Sequence, residues 1–285
     1  MVYQVIPFAG QTIPILIQER ENMATEKSGG TQQSLDRALD LLDILAKSET
    51  NGLNISEISK LLGITRVTAS TMVQSLLQRN YIEKDEESAR YRIGYKLLEL
   101  SQNYRYSYPF LYAAEGYVRQ ASEKLNLRIN VSVLKSPGVA VLLISKDVSL
   151  LPQMSVGYVL PAYASASGKL LLANADEELA EKWLSKMEFI PFTTNTITNI
   201  DSMREELQMI RQNGIAIENQ ELVLRRCCMA APIRNIAGKV IASVSFSILK
   251  ERFDSDRDKL ADELRLLSET ISASLGYNSI GRANI

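Results

Sequence analysis

The most constraining feature of the sequence is a short stretch with two helix-start signals separated by one glycine. Asn54 and Glu57 have the spacing of a capping box, in which each side chain accepts the other residue's backbone N–H at a helix start. Gly63 can adopt the left-handed backbone that ends such a helix, and Thr65 is a suitable cap for a second one. Apolar residues at helical spacing on both helices favour a helix-turn-helix.

Further elements on either side extend the pattern to a winged helix-turn-helix. Ser34 is a suitable cap for a preceding amphipathic helix, whose inward stripe is predicted to be Leu35, Ala38, Leu42 and Leu45. The second helix of the pair has the same spacing in Ala69, Met72, Val73 and Leu76. Residues 81–84 and 90–93 then have strand character and flank a polar turn, which predicts a hairpin, the wing.

The outward face of the second helix carries short polar side chains, one methyl-bearing residue and one cation near its start. Such side chains suit base edges and phosphates in a major groove, and two arginines alternate along one strand of the hairpin. The candidate DNA-binding residues are therefore Thr65, Arg66, Val67, Thr68, Ser70, Thr71, Arg90 and Arg92. The alternative is a winged-helix adaptor that contacts only proteins, because polar faces on small helices are usually solvated. We prefer double-stranded DNA because helix, capped helix, glycine turn, helix and hairpin occur together.

The charge of this region bears on how it would hold DNA. Residues 31–103 contain nine basic and ten acidic residues, so the net charge is -1. Counterion release requires clustered cations, and a monomer with this balance would bind DNA weakly. We therefore expect a homo-oligomer, a dimer or a dimer of dimers, on a palindromic operator in a promoter.

The composition excludes most catalytic arrangements. The chain has no histidine, which removes the usual base beside a serine or cysteine nucleophile. Its two cysteines, Cys227 and Cys228, are adjacent, which suits neither a disulfide framework nor a structural zinc site, and a reducing cytoplasm is predicted. We expect no cofactor and no metal. An enzyme with Cys228 as nucleophile beside the helix start at Ser167 stays as the less favoured alternative.

Five segments are expected along the chain. They are a flexible lead-in (1–30), the winged helix-turn-helix domain (31–94), a linker helix (95–108), an effector-binding and oligomerisation domain (109–277) and a tail (278–285). Pro109 should end the linker helix, whose tyrosines are expected to pack against a partner helix or domain. The apolar start of the lead-in is too short to span a membrane, and no membrane partner is expected. Alternating helices and strands beyond Pro109 predict an α+β layout around an antiparallel sheet.

Two patterns in the second domain predict a site for a small anion. Residues 164–169 are a run of small residues that opens a helix, whose free backbone N–H groups favour an anion such as a carboxylate. Ser243, Ser245 and Ser247 share one face of a strand where a core strand would show apolar residues. If that face is buried, its hydroxyls need partners; the alternative is exposure at a sheet edge.

Together these residues resemble the IclR family of bacterial transcriptional regulators. Three stretches carry the resemblance: residues 34–39, 157–173 and 214–247. It implies a winged helix-turn-helix domain joined by a linker helix to a GAF-like or profilin-like effector domain with an antiparallel sheet. It also implies dimers or dimers of dimers that bind promoter DNA, with a repressor favoured, under the control of a small metabolite.

The resemblance also implies effector-binding residues. Carried over position by position, they are Leu160, Ala166, Ser167, Gly168, Glu218, Cys228, Ser245 and Ser247. Arg225 departs from the family pattern, because glycine is usual there. Glu218 replaces a shorter acidic residue, so a carboxylate ligand would need a hydroxyl or a water facing it to avoid repulsion, which favours a hydroxylated or keto acid. For Cys228, a small buried apolar role is the alternative to ligand contact.

Overall fold

The computed structural model describes residues 2–8, 11–17, 33–48, 52–136, 138–145 and 154–278, with backbone alone for the first two ranges. The described residues fall into two compact units. One ends at Pro109, and the other begins at Phe110 and includes residues 2–17. The sequence analysis had expected the second domain to begin at residue 109.

The smaller unit is a winged helix-turn-helix, as predicted. Its elements are α1 (Gln33–Lys47), α2 (Ile55–Leu61), α3 (Arg66–Leu77), β3 (Ile82–Lys84), β4 (Tyr91–Ile93) and α4 (Lys96–Tyr106). Strands β3 and β4 form the antiparallel wing. The core is formed by Leu41, Leu45, Ile58, Ala69, Val73, Ile82 and Tyr91. These residues come from α1, α2, α3 and the wing, so one small apolar core orients all of them.

Two details of α1 differ from the sequence prediction. Leu35, expected in the inward stripe, is 58% exposed, whereas Leu41 is fully buried. Because α1 has several leucines, more than one apolar stripe fits its sequence, and contact with the neighbouring helices decides which is buried. The predicted cap at Ser34 is also wrong, since the described helix already includes that residue.

The larger unit is an α+β domain around a six-stranded antiparallel sheet, as predicted. Its strands are β5 (Arg128–Lys135), β6 (Gly138–Ile144), β7 (Val159–Leu160), β8 (Ala216–Asn219), β9 (Arg226–Arg234) and β10 (Val240–Leu249), in the spatial order β7-β6-β5-β10-β9-β8. Its helices are α5 (Phe110–Leu125), α6 (Ala166–Ala173), α7 (Glu177–Leu184), α8 (Ile200–Asn213) and α9 (Lys250–Ser274).

The two faces of this sheet meet different helices. Ala216 and Ala230 belong to the buried cluster that includes the leucines of α6. Ile217 and Met229, next to them in sequence, line a groove beside α9 instead. Since successive side chains of a strand point to opposite faces, the sheet lies between α6 on one side and α9 on the other.

The N-terminal segment differs from the flexible lead-in expected there. Strands β1 (Val2–Phe8) and β2 (Gln11–Ile17) pair as an antiparallel hairpin. The rest of the predicted lead-in, residues 18–30, lies outside the described residues, as does most of the predicted tail. Among the described helices, none combines the length and apolar character needed to cross a bilayer.

Candidate DNA interface and effector site

Helix α3 presents the predicted reading surface to solvent. The Thr65 hydroxyl accepts the backbone N–H of Thr68 at 3.2 Å, which caps the helix as predicted. Val67 is 77% exposed, although its side chain is apolar. All the helix residues of the predicted set are exposed, namely Thr65, Arg66, Val67, Thr68, Ser70 and Thr71. The structure therefore brings these six residues together on one accessible surface.

The capping box fixes the helix that precedes α3. Asn54 Oδ1 accepts the backbone N–H groups of Ser56 at 2.9 Å and Glu57 at 3.0 Å, and Glu57 Oε2 accepts the N–H of Asn54 at 2.8 Å. Gly63 has a φ of +63°, the left-handed conformation expected for the turn. With this turn closed, α2 holds the start of α3 in place.

The two predicted wing arginines occupy different environments. The Arg90 guanidinium donates to both Glu57 oxygens, at 2.8 and 3.1 Å, and to the Gly52 carbonyl oxygen at 2.8 Å. Arg92 is exposed and only 3.5 Å from a single carboxylate oxygen of Glu83. Arg90 therefore ties the wing to the start of α2, and Arg92 is the more exposed of the two predicted arginines.

The predicted anion site begins at α6, which is buried along its whole length. The Ser165 hydroxyl accepts the backbone N–H of Gly168 at 3.2 Å, so one of the N–H groups expected to be free is already bound. A β-carbon at Gly168 would lie 2.2 Å from the Ala162 carbonyl oxygen. Only glycine permits so close a passage of the 161–165 segment. Leu160, by contrast, lies on β7, at the opposite edge of the sheet from Glu218.

The three serines of β10 lie in the middle of the sheet and not at an edge. Ser243 is fully buried and Ser245 is 5% exposed. Each is paired across to β5 with another polar residue; the pairs are Ser243 with Ser132, Ser245 with Asn130 and Ser247 with Arg128. On the other side, Ser245 pairs with Ala230, which belongs to the α6 cluster. The face of the sheet toward α6 therefore carries six polar residues on two adjacent strands.

Two of these buried polar groups lack hydrogen-bond partners among the described residues. They are the Asn130 carbonyl oxygen, Oδ1, and the Ser132 hydroxyl. A buried polar atom without a partner costs about 1–3 kcal/mol, which a ligand hydroxyl or a water molecule can offset because either can donate to the Asn130 oxygen and accept from the Ser132 hydroxyl. This face therefore has the chemistry of a binding surface for a small polar molecule.

Glu218 and Cys228 extend the polar face toward β8. They are paired across β8 and β9, and Cys228 is paired with Ser247 across β9 and β10. The Cys228 thiol is hydrogen-bonded to both Glu218 and Ser247, and burial raises its pKa well above the ordinary thiol value, with the Glu218 charge adding to the effect. A thiol held in its neutral form is a poor nucleophile.

Glu218 is a fully buried carboxyl group. One of its oxygens accepts the backbone N–H groups of Glu221 and Leu222, the latter at 3.1 Å. Burial raises the pKa of Glu218 to about 7, although these two hydrogen bonds act to lower it. The group therefore changes charge within the physiological pH range.

A buried ion cluster connects α6 to the loop beside Glu218. Lys169 is 1% exposed, and its Nζ lies 2.6 Å from a Glu221 oxygen and 2.9 Å from a Glu206 oxygen. Burial lowers the pKa of Lys169, but the charges of Glu221 and Glu206 outweigh it and leave that pKa above the ordinary lysine value. The cluster holds the β8–β9 loop against α6 and α8.

Sequence reasoning missed five residues of this site: Arg128, Asn130, Ser132, Lys169 and Glu221. The first three alternate along β5 with apolar residues, as the serines alternate along β10. That shared period of two could have suggested that the two strands pair with their polar residues on one face. Lys169 and Glu221 carry no local signal, because they are 52 residues apart.

The backbone conformation at Arg225 accounts for the glycine that is usual at this position in the family. It has a φ of +61°, which glycine adopts without strain and other residues adopt at a cost. Its guanidinium contacts Glu251 at 3.0 Å, and its carbonyl oxygen accepts the N–H of Lys250. This chain therefore adopts the left-handed conformation at this position with an arginine.

A separate groove of about 390 Å³ lies on the opposite face of the sheet, between β8 and α9. Its base is apolar and its rim carries charges from α9. The lining residues are Asn213, Ile215, Ile217, Met229, Arg257, Asp258, Ala261, Asp262 and Arg265. None of the predicted effector residues belongs to it.

Comparison with known proteins assigns both units. Residues 34–86 match the family model of the IclR helix-turn-helix domain, and residues 103–273 match that of the bacterial transcriptional regulator IclR C-terminal domain. The DNA-binding transcriptional repressor YiaJ of Escherichia coli is 30% identical, with 91% of this chain and 94% of that protein covered. Such regulators bind DNA through the first domain and an effector through the second.

Solved structures agree with this assignment. The Thermotoga maritima IclR structure has a TM-score of 0.75 at 26% identity and covers 86% of this chain and 99% of its own. An IclR homologue from Microbacterium hydrocarbonoxydans, solved in complex with 4-hydroxybenzoate, shares the fold, with a TM-score of 0.74 at 22% identity over 85% of this chain and 98% of its own. The winged helix, the sheet and both family matches lead to one conclusion: this chain belongs to the IclR family of bacterial transcriptional regulators, which bind DNA.

Proposed function

We propose that the chain is a cytoplasmic repressor that binds a palindromic promoter operator as a homodimer or a dimer of dimers. A small organic acid, bound on the polar face of the sheet beneath α6, changes its affinity for that operator. The observation that carries the proposal is this face, where the Asn130 amide oxygen and the Ser132 hydroxyl are buried without hydrogen-bond partners among the described residues.

The proposed DNA contact is made by α3 in the major groove, with Arg92 on a flanking phosphate. Arg66 is the cation at the start of α3, and the exposed threonines and serine around it offer both donors and acceptors. With a net charge of -1 over residues 31–103, one copy has little electrostatic attraction for DNA. Two copies on two half-sites double the specific contacts.

Exposed apolar side chains on α1 and α4 support the proposed dimer. Leu35 is 58% exposed, Leu98 is 64% exposed and Tyr106 is 68% exposed. Apolar surface of this kind on a DNA-binding unit is typical of a protein contact. Burial in a dimer would remove it from water.

The proposed effector carries a carboxylate and at least one further oxygen. Supporting this, the face offers the hydroxyls of Ser245 and Ser247 and the Asn130 amide, and a structural neighbour was solved with 4-hydroxybenzoate. Catalysis is not part of the proposal, because Cys228 is held as a neutral thiol and the chain has no histidine to act as its base.

A gel-shift experiment on the promoter regions flanking the protein's own gene tests the DNA part. Selective binding over shuffled DNA in moderate salt is expected, and Arg66→Gln should weaken it about fivefold to 150-fold, since a base-edge contact contributes about 1–3 kcal/mol. Arg79→Gln, beyond the end of α3, is the matched control. Equal binding to shuffled DNA, or none to either, would favour the protein-adaptor function.

The effector part is tested in the same assay with a panel of small carboxylic acids. At least one acid should change the midpoint of operator binding. Ser245→Val should remove that change, because valine has a similar shape and no hydroxyl. Thr270→Val, half-buried on α9 at the other side of the sheet, is the control and should keep it. An acid response that survives Ser245→Val would place the effector elsewhere.

A further inference from the structure

The outward face of α3 has a valine at its centre. With about 3.6 residues per turn, Val67, Ser70, Thr71 and Gln74 fall on one stripe of the helix, opposite its buried side. All four residues are exposed, and Val67 is 77% exposed. An apolar side chain therefore stands in the middle of the surface that α3 offers to solvent.

Helix stability does not account for a valine at this position. β-branched residues are less favourable in a helix than unbranched ones, and an exposed valine gains nothing from burial. Single exposed apolar residues do occur on soluble proteins, so the exposure of Val67 is not by itself evidence of a contact. The chemistry of the neighbouring side chains supplies that evidence.

The hydroxyls around Val67 are bound within the helix. Thr71 Oγ1 donates to the Val67 carbonyl oxygen at 3.1 Å, and Ser75 Oγ donates to the Thr71 carbonyl oxygen at 3.1 Å. The hydroxyls of Thr65 and Thr68 are hydrogen-bonded to each other at 2.9 Å. A hydroxyl has one hydrogen to donate, so Thr71 has none left for a base and offers its methyl group and an acceptor instead. The middle of the face is therefore more apolar than its residue types suggest.

The major groove of DNA has one methyl group among its base edges, the 5-methyl of thymine. The other recognition groups there are hydrogen-bond donors and acceptors. Base edges are reached by the first residues of the second helix in a helix-turn-helix, and Val67 is the second residue of α3. Contact between the valine and a thymine methyl would remove apolar surface from water on both molecules.

We propose that Val67 contacts the 5-methyl group of a thymine in each half-site of the operator, with the Thr71 methyl extending the same apolar surface. The inference rests on the proposed function, because it uses the same helix in the major groove. It adds which base the helix selects and the chemistry by which it does so. The exposed Arg66 and Gln74 carry the donors for phosphates or for the purines of neighbouring base pairs.

The experiment is a fluorescence-anisotropy titration of the full chain on the operator duplex that the gel shift selects. Thymines are replaced by deoxyuridine, one symmetric pair at a time, which removes the 5-methyl group and leaves the base pairing intact. One such pair should weaken wild-type binding about fifteenfold, since a buried methyl group corresponds to about fourfold at each half-site. The slope of affinity against salt concentration should stay the same, because no phosphate contact is lost.

Substitutions at Val67 assign the methyl contact to its residue. Val67→Ala keeps a good helix former at an exposed position, so the variant should fold. It should bind the unmodified operator as weakly as the wild type binds the sensitive deoxyuridine duplex, and it should no longer respond to that replacement. Val67→Thr keeps one methyl group and should retain part of the response. Ile236→Ala removes an apolar side chain of similar exposure, 76%, from the larger unit and should behave as the wild type does.

The outcomes separate this inference from the function beneath it. If no thymine pair is sensitive to the replacement, or if Val67→Ala is as sensitive as the wild type, the thymine contact by Val67 is overturned while operator binding stands. If Val67→Ala changes the molar mass measured by light scattering without DNA, Val67 belongs to a protein contact and the inference is overturned. If the chain selects no operator at all, the proposed function itself fails and the inference fails with it.

Discussion

Replacing Glu218 with glutamine should make the protein more stable at alkaline pH and leave its stability unchanged in acid. Burial raises the pKa of this carboxyl from the ordinary 4.5 to about 7 in the folded protein. The folded state therefore binds the proton more tightly than the unfolded state, so the wild type loses stability as the pH rises from 4.5 to 7. Each pKa unit corresponds to about 1.4 kcal/mol, so the loss above pH 7 is about 3 kcal/mol. Glutamine keeps the shape and the acceptor oxygen for the Glu221 and Leu222 N–H groups but carries no charge.

Urea unfolding of wild type and Glu218→Gln at a series of pH values from 4.5 to 8.5 measures the effect. The difference in unfolding free energy should grow through this window and level off above pH 7. Glu269→Gln, exposed on α9, is the matched control and should show no such growth. A difference that is constant with pH, or that grows toward acid, would refute the reasoning that burial raises the pKa of Glu218 and destabilises its charged form.

Three further predictions concern the residues around the site. Lys169→Met should lower the free energy of unfolding in urea by about 3–5 kcal/mol, because it leaves the buried Glu221 carboxylate unpaired. Lys182→Met, which removes an exposed lysine, should lower it little, and equal effects of the two substitutions would contradict this. Gly168→Ala should destabilise the protein by about 1–3 kcal/mol, because the new β-carbon would lie 2.2 Å from the Ala162 carbonyl oxygen. Gly116→Ala, with open space around it, should stabilise the protein by about 0.5–1 kcal/mol. A Gly168→Ala variant as stable as the wild type would be the contrary result. The Cys228 thiol should react with Ellman's reagent at pH 7 far more slowly in the native protein than in urea, because burial raises its pKa; a rapid native reaction would revive the nucleophile hypothesis.

Local signals carried most of what the sequence predicted correctly. The capping box at Asn54 and Glu57, the turn at Gly63 and the cap at Thr65 each depend on residues within a few positions of one another. Their hydrogen bonds join residues that are close in sequence, so the local residue pattern is enough to indicate them. The winged helix-turn-helix could therefore be predicted with its helices nearly at their observed bounds, and the buried serines of β10 pointed to a polar face.

Contacts between distant residues account for what could not be predicted. Arg90 was expected on the DNA surface, but it pairs with Glu57, 33 residues earlier, and closes the wing onto α2. Arg128 enters the site only because β5 pairs with β10 in one register, which brings it beside Ser247. Register depends on packing over the whole sheet, so the sequence of β5 alone does not reveal it. The same holds for Lys169, whose carboxylate partners come from two other elements.

The most direct test of the account is a crystal structure of the full chain with the acid that most changes its operator affinity. The account predicts density for the acid on the α6 face of the sheet, with ligand atoms within hydrogen-bond distance of Asn130 or Ser245. Density in the groove beside α9, near Arg257 and Arg265, with the α6 face empty, would contradict it.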